Sequence, residues 1–171
     1  MKKDNQISAV VISYNRDWLI KTCLKGLCFC DEVILVDKSS QDKTVEIGRD
    51  YADKVIIVPW SPTVEETREF AVKQCQYDWV ICLDDDECLS VDGAKFIISE
   101  LENPRAEIYL IPQRHYILGR HDERSYYWPE WQPRLYRKSA VSFEETVHNG
   151  TIFLSDKIFK IPIDTGVCLH H

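Results

Sequence analysis

ICLDDDECLS, Ile81 to Ser90, runs an apolar stretch straight into Asp84, Asp85, Asp86 and Glu87. Like charges at consecutive positions repel unless water or a cation relieves them, so the run poses the question of which positive group belongs beside it. Trp79 to Leu83 reads as a buried strand. If the chain continues extended, Asp84 and Asp86 share one face while Asp85 points to the other. Two carboxylates on one side can share a hard divalent cation, or divide it and a ligand hydroxyl between them. A solvated acidic turn is the plainer alternative, because Ser90 and Asp92 suit the start of a helix expected at Val91 to Leu101. An EF-hand does not fit. Counted from Asp84, Leu89 falls where that loop requires Gly and Lys95 where it requires Glu.

Outward from this stretch, strands and helices alternate. Ser8 to Ser13, Glu32 to Val36 and Lys54 to Val58 read as further short buried strands. Between them lie a helix over Asp17 to Leu27, with Leu19, Cys23 and Leu27 four apart, and another over Thr44 to Tyr51. A third follows in SPTVEETREFAVKQC, where Thr63 and Glu66 form a capping box. This order predicts βαβ units on a mostly parallel sheet with helices on both faces. Beyond the acidic run, Ile108 to Ile111, Arg134 to Tyr136 and the apolar runs of TIFLSDKIFKIPI read as strands without long helices between them. They predict a mixed or antiparallel C-terminal extension. Ligands of such sheets sit outside the carboxyl ends of the parallel strands, where Tyr14-Asn15, Asp37 and Asp84 to Glu87 all fall.

The 171 residues, 44% hydrophobic and 29% charged, suit one domain with a real core. A formal charge of -7 argues against a nucleic-acid binder, which needs a basic stripe. The seven cysteines are scattered without a CxxC pair and read as buried reduced thiols of a cytoplasmic protein. MKKDNQISAV lacks the apolar core of a signal peptide, and no apolar run approaches the roughly 20 residues that span a bilayer. Membrane contact is therefore expected to be peripheral.

The loop after the first strand, SYNRDW, has no glycine, which excludes both a GxxxxGK[ST] phosphate cradle and a GxGxxG dinucleotide turn. A bound diphosphate would need Mg²⁺ or Mn²⁺ on Asp86 instead. A phosphotransferase or hydrolase with an Asp nucleophile is disfavoured, because Ser13-Tyr14-Asn15 stands where that Asp would be.

Taken in order, AVVISYNRDWLIKTCLKGL, DEVILVDKSSQDKTVEI and TREFAVKQCQYDWVICLDDDE resemble the family-two glycosyltransferases of GT-A fold. Their pattern is a Tyr-Asn pair after the first strand, an Asp-x-x-Ser-x-Asp-x-Thr loop after the second and an Asp-x-Asp-Glu after the fourth. WPEWQPRLYRKSAV and ETVHNG resemble a narrower group, the bacterial lipopolysaccharide-core β-glucosyltransferase-like members. The resemblance implies a single catalytic domain over 1–171, with a nucleotide-binding half at 1–89 and an acceptor-side half at 90–171. It implies an inverting hexosyltransferase that uses Mn²⁺ or Mg²⁺, a nucleotide-diphosphate sugar such as a UDP-sugar, and a saccharide or glycolipid hydroxyl as acceptor. Such an enzyme would work in cell-surface polysaccharide synthesis at the inner face of the membrane.

Residue by residue, the resemblance puts Ser13, Tyr14 and Asn15 around the nucleoside and Asp37 on the base. Asp84 would face the ribose or a metal-bound water, with Asp85 beside it, and Asp86 would ligate the metal. Asn15 and Asp37 also suit plain caps of a helix and a turn. Arg68 either braces the acidic site or pairs with Glu65 at the surface. GT-A enzymes often add a late histidine to the metal shell. On an extended strand only one of His170 and His171 can reach, and His171 is the choice, because Val167 and Leu169 share its parity on the side facing the core and site. Trp128 and Arg134 are assigned to the acceptor or phosphate side. For the general base there are two candidates: Glu130, bracketed by Trp128 and Trp131, which should raise its pKa, and Glu145, next to Glu144 in SFEETVHNG; Glu130 is the choice, because adjacent acids in a loop are usually solvated.

Three features depart from the family pattern. Lys38 stands where a second acid is frequent, Asp85 replaces a small residue, and the chain ends at CLHH where members normally continue. The last feature raises a rival expectation, a non-catalytic nucleotide-sugar or glycan binding module that needs a partner.

Overall fold

The computed structural model describes residues 5–126, 128–143, 150–167 and 169–171. Its first half reads β1 (Ile7–Ser13), α1 (Ile20–Lys25), β2 (Glu32–Asp37), α2 (Thr44–Gly48), β3 (Lys54–Ile57), α3 (Glu65–Gln74) and β4 (Trp79–Asp84). The second half follows with β5 (Cys88–Leu89), α4 (Val91–Glu100), β6 (Ile108–Arg114), β7 (Glu130–Arg137), β8 (Val141–Phe143), β9 (Thr151–Phe153), β10 (Ile158–Lys160) and β11 (Leu169–His170).

The main sheet runs β3-β2-β1-β4-β7-β6-β11-β5, with β10 beside β6. β1 to β4 are mutually parallel, and β7 pairs antiparallel with both β4 and β6. Every residue of β1 is buried, as expected of a strand covered on both faces. On one face Ala9, Val11, Leu35, Ile81 and Leu83 pack with Ile20, Cys23 and Leu24 of α1 and Ile97 of α4. On the other face Val10, Ile12, Ile34, Val36, Val80 and Cys82 pack with Ala71 and Val72 of α3. A sheet that is parallel first and mixed later is the architecture expected from the sequence.

Helix α2 lies so close to β2 that a Cβ on Gly48 would stand 2.2 Å from Leu35 Cδ2, so any larger residue there would have to displace the buried Leu35 side chain. Ser90 caps α4, its hydroxyl accepting from Gly93 N at 3.0 Å. The capping box expected at Thr63 is not the start of α3. Its N-cap is Val64, without a side-chain cap, and the Thr63 carbonyl instead accepts from Lys38 Nζ at 2.7 Å. The helix expected over Asp17 to Leu27 is shorter, because Asp17 to Leu19 form a turn that opens it. Among the described residues six cysteines are unpaired; Cys23, Cys75 and Cys82 are buried, but Cys28 is exposed, contrary to the expectation for all. No described helix is long and apolar enough to cross a membrane.

Candidate functional site

The strand order reverses beside β1: β2 and β3 lie to one side and β4 to the other. Such a switch point opens a crevice at the carboxyl ends of the strands. Register fixes what stands there, since Ser13 pairs with Asp37 and Ile12 with Asp84. A cleft of about 530 Å³ opens at this edge, and Ser13, Tyr14, Asp84, Asp85, Asp86 and His171 all line it.

The acidic run does not continue extended. Glu87 N donates to the Asp84 carbonyl at 3.1 Å, closing a turn through Asp85 and Asp86 that sends the three aspartates in different directions. Asp85 turns to β1, where it accepts from Ser13 Oγ at 2.8 Å, Tyr14 N at 3.1 Å and Arg16 Nε at 3.3 Å. Burial nevertheless holds its carboxyl above the ordinary value. Asp84 is clamped between Arg68, at 2.6 Å, and Arg134. Burial pushes its carboxyl up, but Arg134 and Arg68 together pull harder and leave it below the usual range. Glu87 is buried and accepts from Arg134 at 2.6 Å and Gln113 at 3.1 Å; burial keeps its carboxyl above the ordinary value even so. The same two acids raise the Arg134 guanidinium above its own ordinary value, against burial.

Asp86 differs. Among the described residues it pairs with no arginine or lysine, and the group beside it is the His171 imidazole, with Nε2 3.5 Å from Asp86 Oδ2. No group of three or more His, Cys, Asp or Glu stands together as a cation site among the described residues. The donor set is therefore one carboxylate and one imidazole facing an open cleft. A divalent cation that completes its shell with phosphate oxygens and water needs no more protein than that, so these residues fit one.

The remaining expected residues are distributed as follows. Asn15 sits at φ 53°; its amide oxygen accepts from Gln41 N at 2.7 Å and its N–H donates to Ser40 Oγ at 2.8 Å. It thus ties the loop after β1 to the loop after β2 and does not cap α1, whose N-cap is Leu19. Asp37 is fully buried behind the cleft wall and accepts from Ser40 N at 2.8 Å and from the Ser40 hydroxyl. This is a turn-capping arrangement. Of the alternatives open for Arg68, the geometry has the brace on Asp84.

Arg134 is likewise a buried brace for Asp84 and Glu87 and does not line the cleft. It therefore presents no fork to a phosphate, contrary to its assignment. Trp128 lies over Arg114 at 5.2 Å and against His121 at 4.9 Å, away from the cleft wall. The aromatic bracket expected around Glu130 is not formed. Neighbours on a strand face opposite ways, and Trp131 turns to donate to the Ile161 carbonyl at 3.1 Å. Glu130 is exposed and meets His115 and Gln132. Glu145, with Glu144, lies outside the described residues.

Sequence reasoning missed Trp60 and Ser61, which line the cleft, and the Trp60 ring, whose centroid is 6.3 Å from that of Tyr14. A signal was present, since the loop after β3 opens at the same carboxyl edge. Lys38, noted only as a departure, also lines the cleft. His115 had no signal, because its partners come from distant parts of the chain.

A profile of Glycosyl transferase family 2 matches residues 8–158. An uncharacterized glycosyltransferase of Rickettsia typhi is 33% identical over 183 residues, covering 100% of this chain and 61% of its own length. The lipopolysaccharide core biosynthesis glycosyltransferase LpsC of Rhizobium meliloti is 28% identical over 120 residues, covering 66% of this chain and 44% of its own. The chain spans 57 to 61% of the length of the rickettsial relatives it matches. S. aureus TarS in complex with UDP-GlcNAc superposes with a TM-score of 0.73 at 18% identity, over 97% of this chain and 58% of that one. Glucosyl-3-phosphoglycerate synthase from Mycobacterium tuberculosis, solved with Mn²⁺, UDP and glucosyl-3-phosphoglycerate, gives 0.50 at 20% identity, over 64% of this chain and 44% of that one. At such identities the likeness to solved structures is one of fold.

Proposed function

The chain belongs to Glycosyl transferase family 2, and from that premise we propose that it is a metal-dependent, inverting hexosyltransferase using a UDP-sugar donor. The acceptor is a hydroxyl of a saccharide or glycolipid in bacterial lipopolysaccharide or related surface polysaccharide synthesis. The likeness to LpsC supports that setting. In this reading residues 1–89 form the donor half and 90–171 the acceptor side of one catalytic domain, acting in the cytoplasm with peripheral contact at the inner membrane face.

One observation carries the proposal: within four consecutive acids, Asp84, Asp85 and Glu87 have arginine partners and Asp86 is left facing the cleft beside a histidine. Asp86 and His171 would hold Mn²⁺ or Mg²⁺. Bound there, the cation offsets diphosphate charge and makes the nucleotide a better leaving group. Tyr14 and Trp60, the exposed aromatic pair on the cleft, would offer the base an aromatic face. Ser13 and Asn15 keep the loop under the nucleoside in shape through Asp85, Ser40 and Gln41. Asp37 acts from behind this wall by fixing the Ser40 turn. Arg68 and Arg134 hold Asp84 at the floor, where its remaining lone pairs face ribose or bound water.

In the transfer, the acceptor oxygen bonds to the anomeric carbon as the bond from that carbon to the diphosphate breaks. The hydroxyl proton passes to a carboxylate and UDP leaves. Of the two candidates, Glu145 takes that role here, since both oxygens of Glu130 are already engaged by His115 and Gln132.

A screen of nucleotide sugars by thermal shift, with and without Mn²⁺, tests the donor class, because binding to the native state alone raises the melting temperature. UDP-sugars should shift the transition and be slowly hydrolysed with Mn²⁺. No shift with any nucleotide sugar would remove the proposal. Binding without hydrolysis or transfer would favour a non-catalytic binding module.

A further inference from the structure

Behind His171 stands a second histidine and a carboxylate. His171 Nδ1 lies 3.0 Å from His115 Nδ1, and His115 Nε2 lies 2.9 Å from Glu130 Oε2. The imidazole rings meet edge to face, with centroids 5.0 Å apart. Backbone pairing fixes all three positions. His171 N donates to the Arg114 carbonyl and Tyr116 N donates to the His171 carbonyl, each at 2.9 Å, so His171 and His115 are held side by side past the ends of β11 and β6. Glu130 opens β7, opposite Gln113 of β6.

We infer that His115 and Glu130 are positioning residues that decide which nitrogen of His171 faces the acidic turn. The direction of the chain follows from its far end. A carboxylate accepts, so His115 Nε2 carries the hydrogen toward Glu130. In a neutral imidazole the other nitrogen is then a lone pair, and His115 Nδ1 must accept from His171 Nδ1–H. The second nitrogen of His171, Nε2, is left with a lone pair aimed at Asp86. Reversing every hydrogen would set the bare Nε2 of His115 against the Glu130 carboxylate at 2.9 Å. At the near end, an acceptor nitrogen faces an acceptor oxygen at 3.5 Å, longer than a hydrogen bond. Two acceptors converging on one point suit a cation between them. A partner that fixes the tautomer and ring orientation of a liganding histidine typically alters metal affinity about 10- to 100-fold.

The inference rests on the proposed cation at Asp86 and adds the two residues behind it. It also gives Glu130 a role distinct from that of a base. The test is a Mn²⁺ titration of the whole chain with UDP present, following free Mn²⁺ by electron paramagnetic resonance. His115→Ala and Glu130→Ala should each weaken Mn²⁺ binding by about 10-fold or more, with UDP binding in EDTA unchanged. His115→Asn should stay within a few-fold of the parent (about 3-fold), because its amide oxygen can accept the same hydrogen from His171. Parent affinity in His115→Ala or in Glu130→Ala overturns the relay, as does an equal loss in His115→Asn and His115→Ala. Failure of the underlying cation reading would look different: the parent and Asp86→Ala would then bind Mn²⁺ alike.

Discussion

The floor and the rim of the cleft use the same kind of residue for opposite ends. At the floor, Asp84 and Glu87 share Arg134, Arg68 closes on Asp84, and Glu87 and both arginines are buried. At the rim, Asp86 from the same four-residue run is about as exposed as Asp84 but meets a histidine and, among the described residues, no arginine or lysine. The difference lies in what reaches each acid from elsewhere in the fold. β7 pairs antiparallel with β4 through Ile81 and Leu135, and one residue further on Arg134 arrives under Asp84. Among the described residues no arginine or lysine arrives at Asp86. A charged run in a sequence is thus divided by tertiary pairing into a part that holds the turn and a part that faces the cleft.

Removing the brace should give the largest effect. Arg134→Met leaves the buried Glu87 without its cation, and breaking a buried pair from one side costs about 3 to 5 kcal/mol. Asp86→Asn at the rim should change stability by no more than about 0.5 kcal/mol. Urea unfolding of the two variants measures both, and similar losses would erase the distinction between floor and rim.

A smaller effect is expected at the aromatic lip. Trp60→Ala should weaken UDP by roughly 1 kcal/mol, about 5-fold, while the ratio of affinities with and without Mn²⁺ stays as in the parent. Calorimetry under both conditions checks this, and a changed ratio would mean that the lip and the rim are not separate. The smallest effect is in acid. The folded-state pKa of Asp84 lies below its unfolded value, so the contribution of this residue is present above the ordinary 3.8 and is lost as pH falls through the depressed value. Asp84→Asn should therefore flatten the fall in stability below about pH 4 relative to the parent. An unchanged acid limb in a series of urea melts would contradict the brace.

The parallel half of the fold was legible because its strands are short, fully buried and separated by helices with a clear apolar face; Val10, Ile34 and Ile81 each needed only local pattern to be placed. The position of Tyr14, Asp37 and Asp84 at one edge followed from the same pattern. What was not legible depends on partners far along the chain. Asp85 answers to Ser13 and Arg16 across about 70 positions, and no local rule distinguishes it from Asp86. The turn at Asp85 and Asp86 replaced an assumed extended continuation. Glu130 was read from its sequence neighbours, whereas its actual surroundings are His115 and Gln132. Arg134 was assigned to a phosphate on chemical type, but strand register buries it beneath the acids.

The proposed cation site turns most directly on Asp86. UDP binding should be measured by calorimetry for the parent and for Asp86→Ala, each in Mn²⁺ and in EDTA. The parent should bind UDP at least about 10-fold more tightly with Mn²⁺, a difference of about 1.4 kcal/mol, and Asp86→Ala should bind equally in both. A parent that binds UDP with the same affinity in Mn²⁺ and in EDTA, or an Asp86→Ala variant that keeps the full difference, would contradict the assignment of Asp86 as the ligand-facing acid of the run.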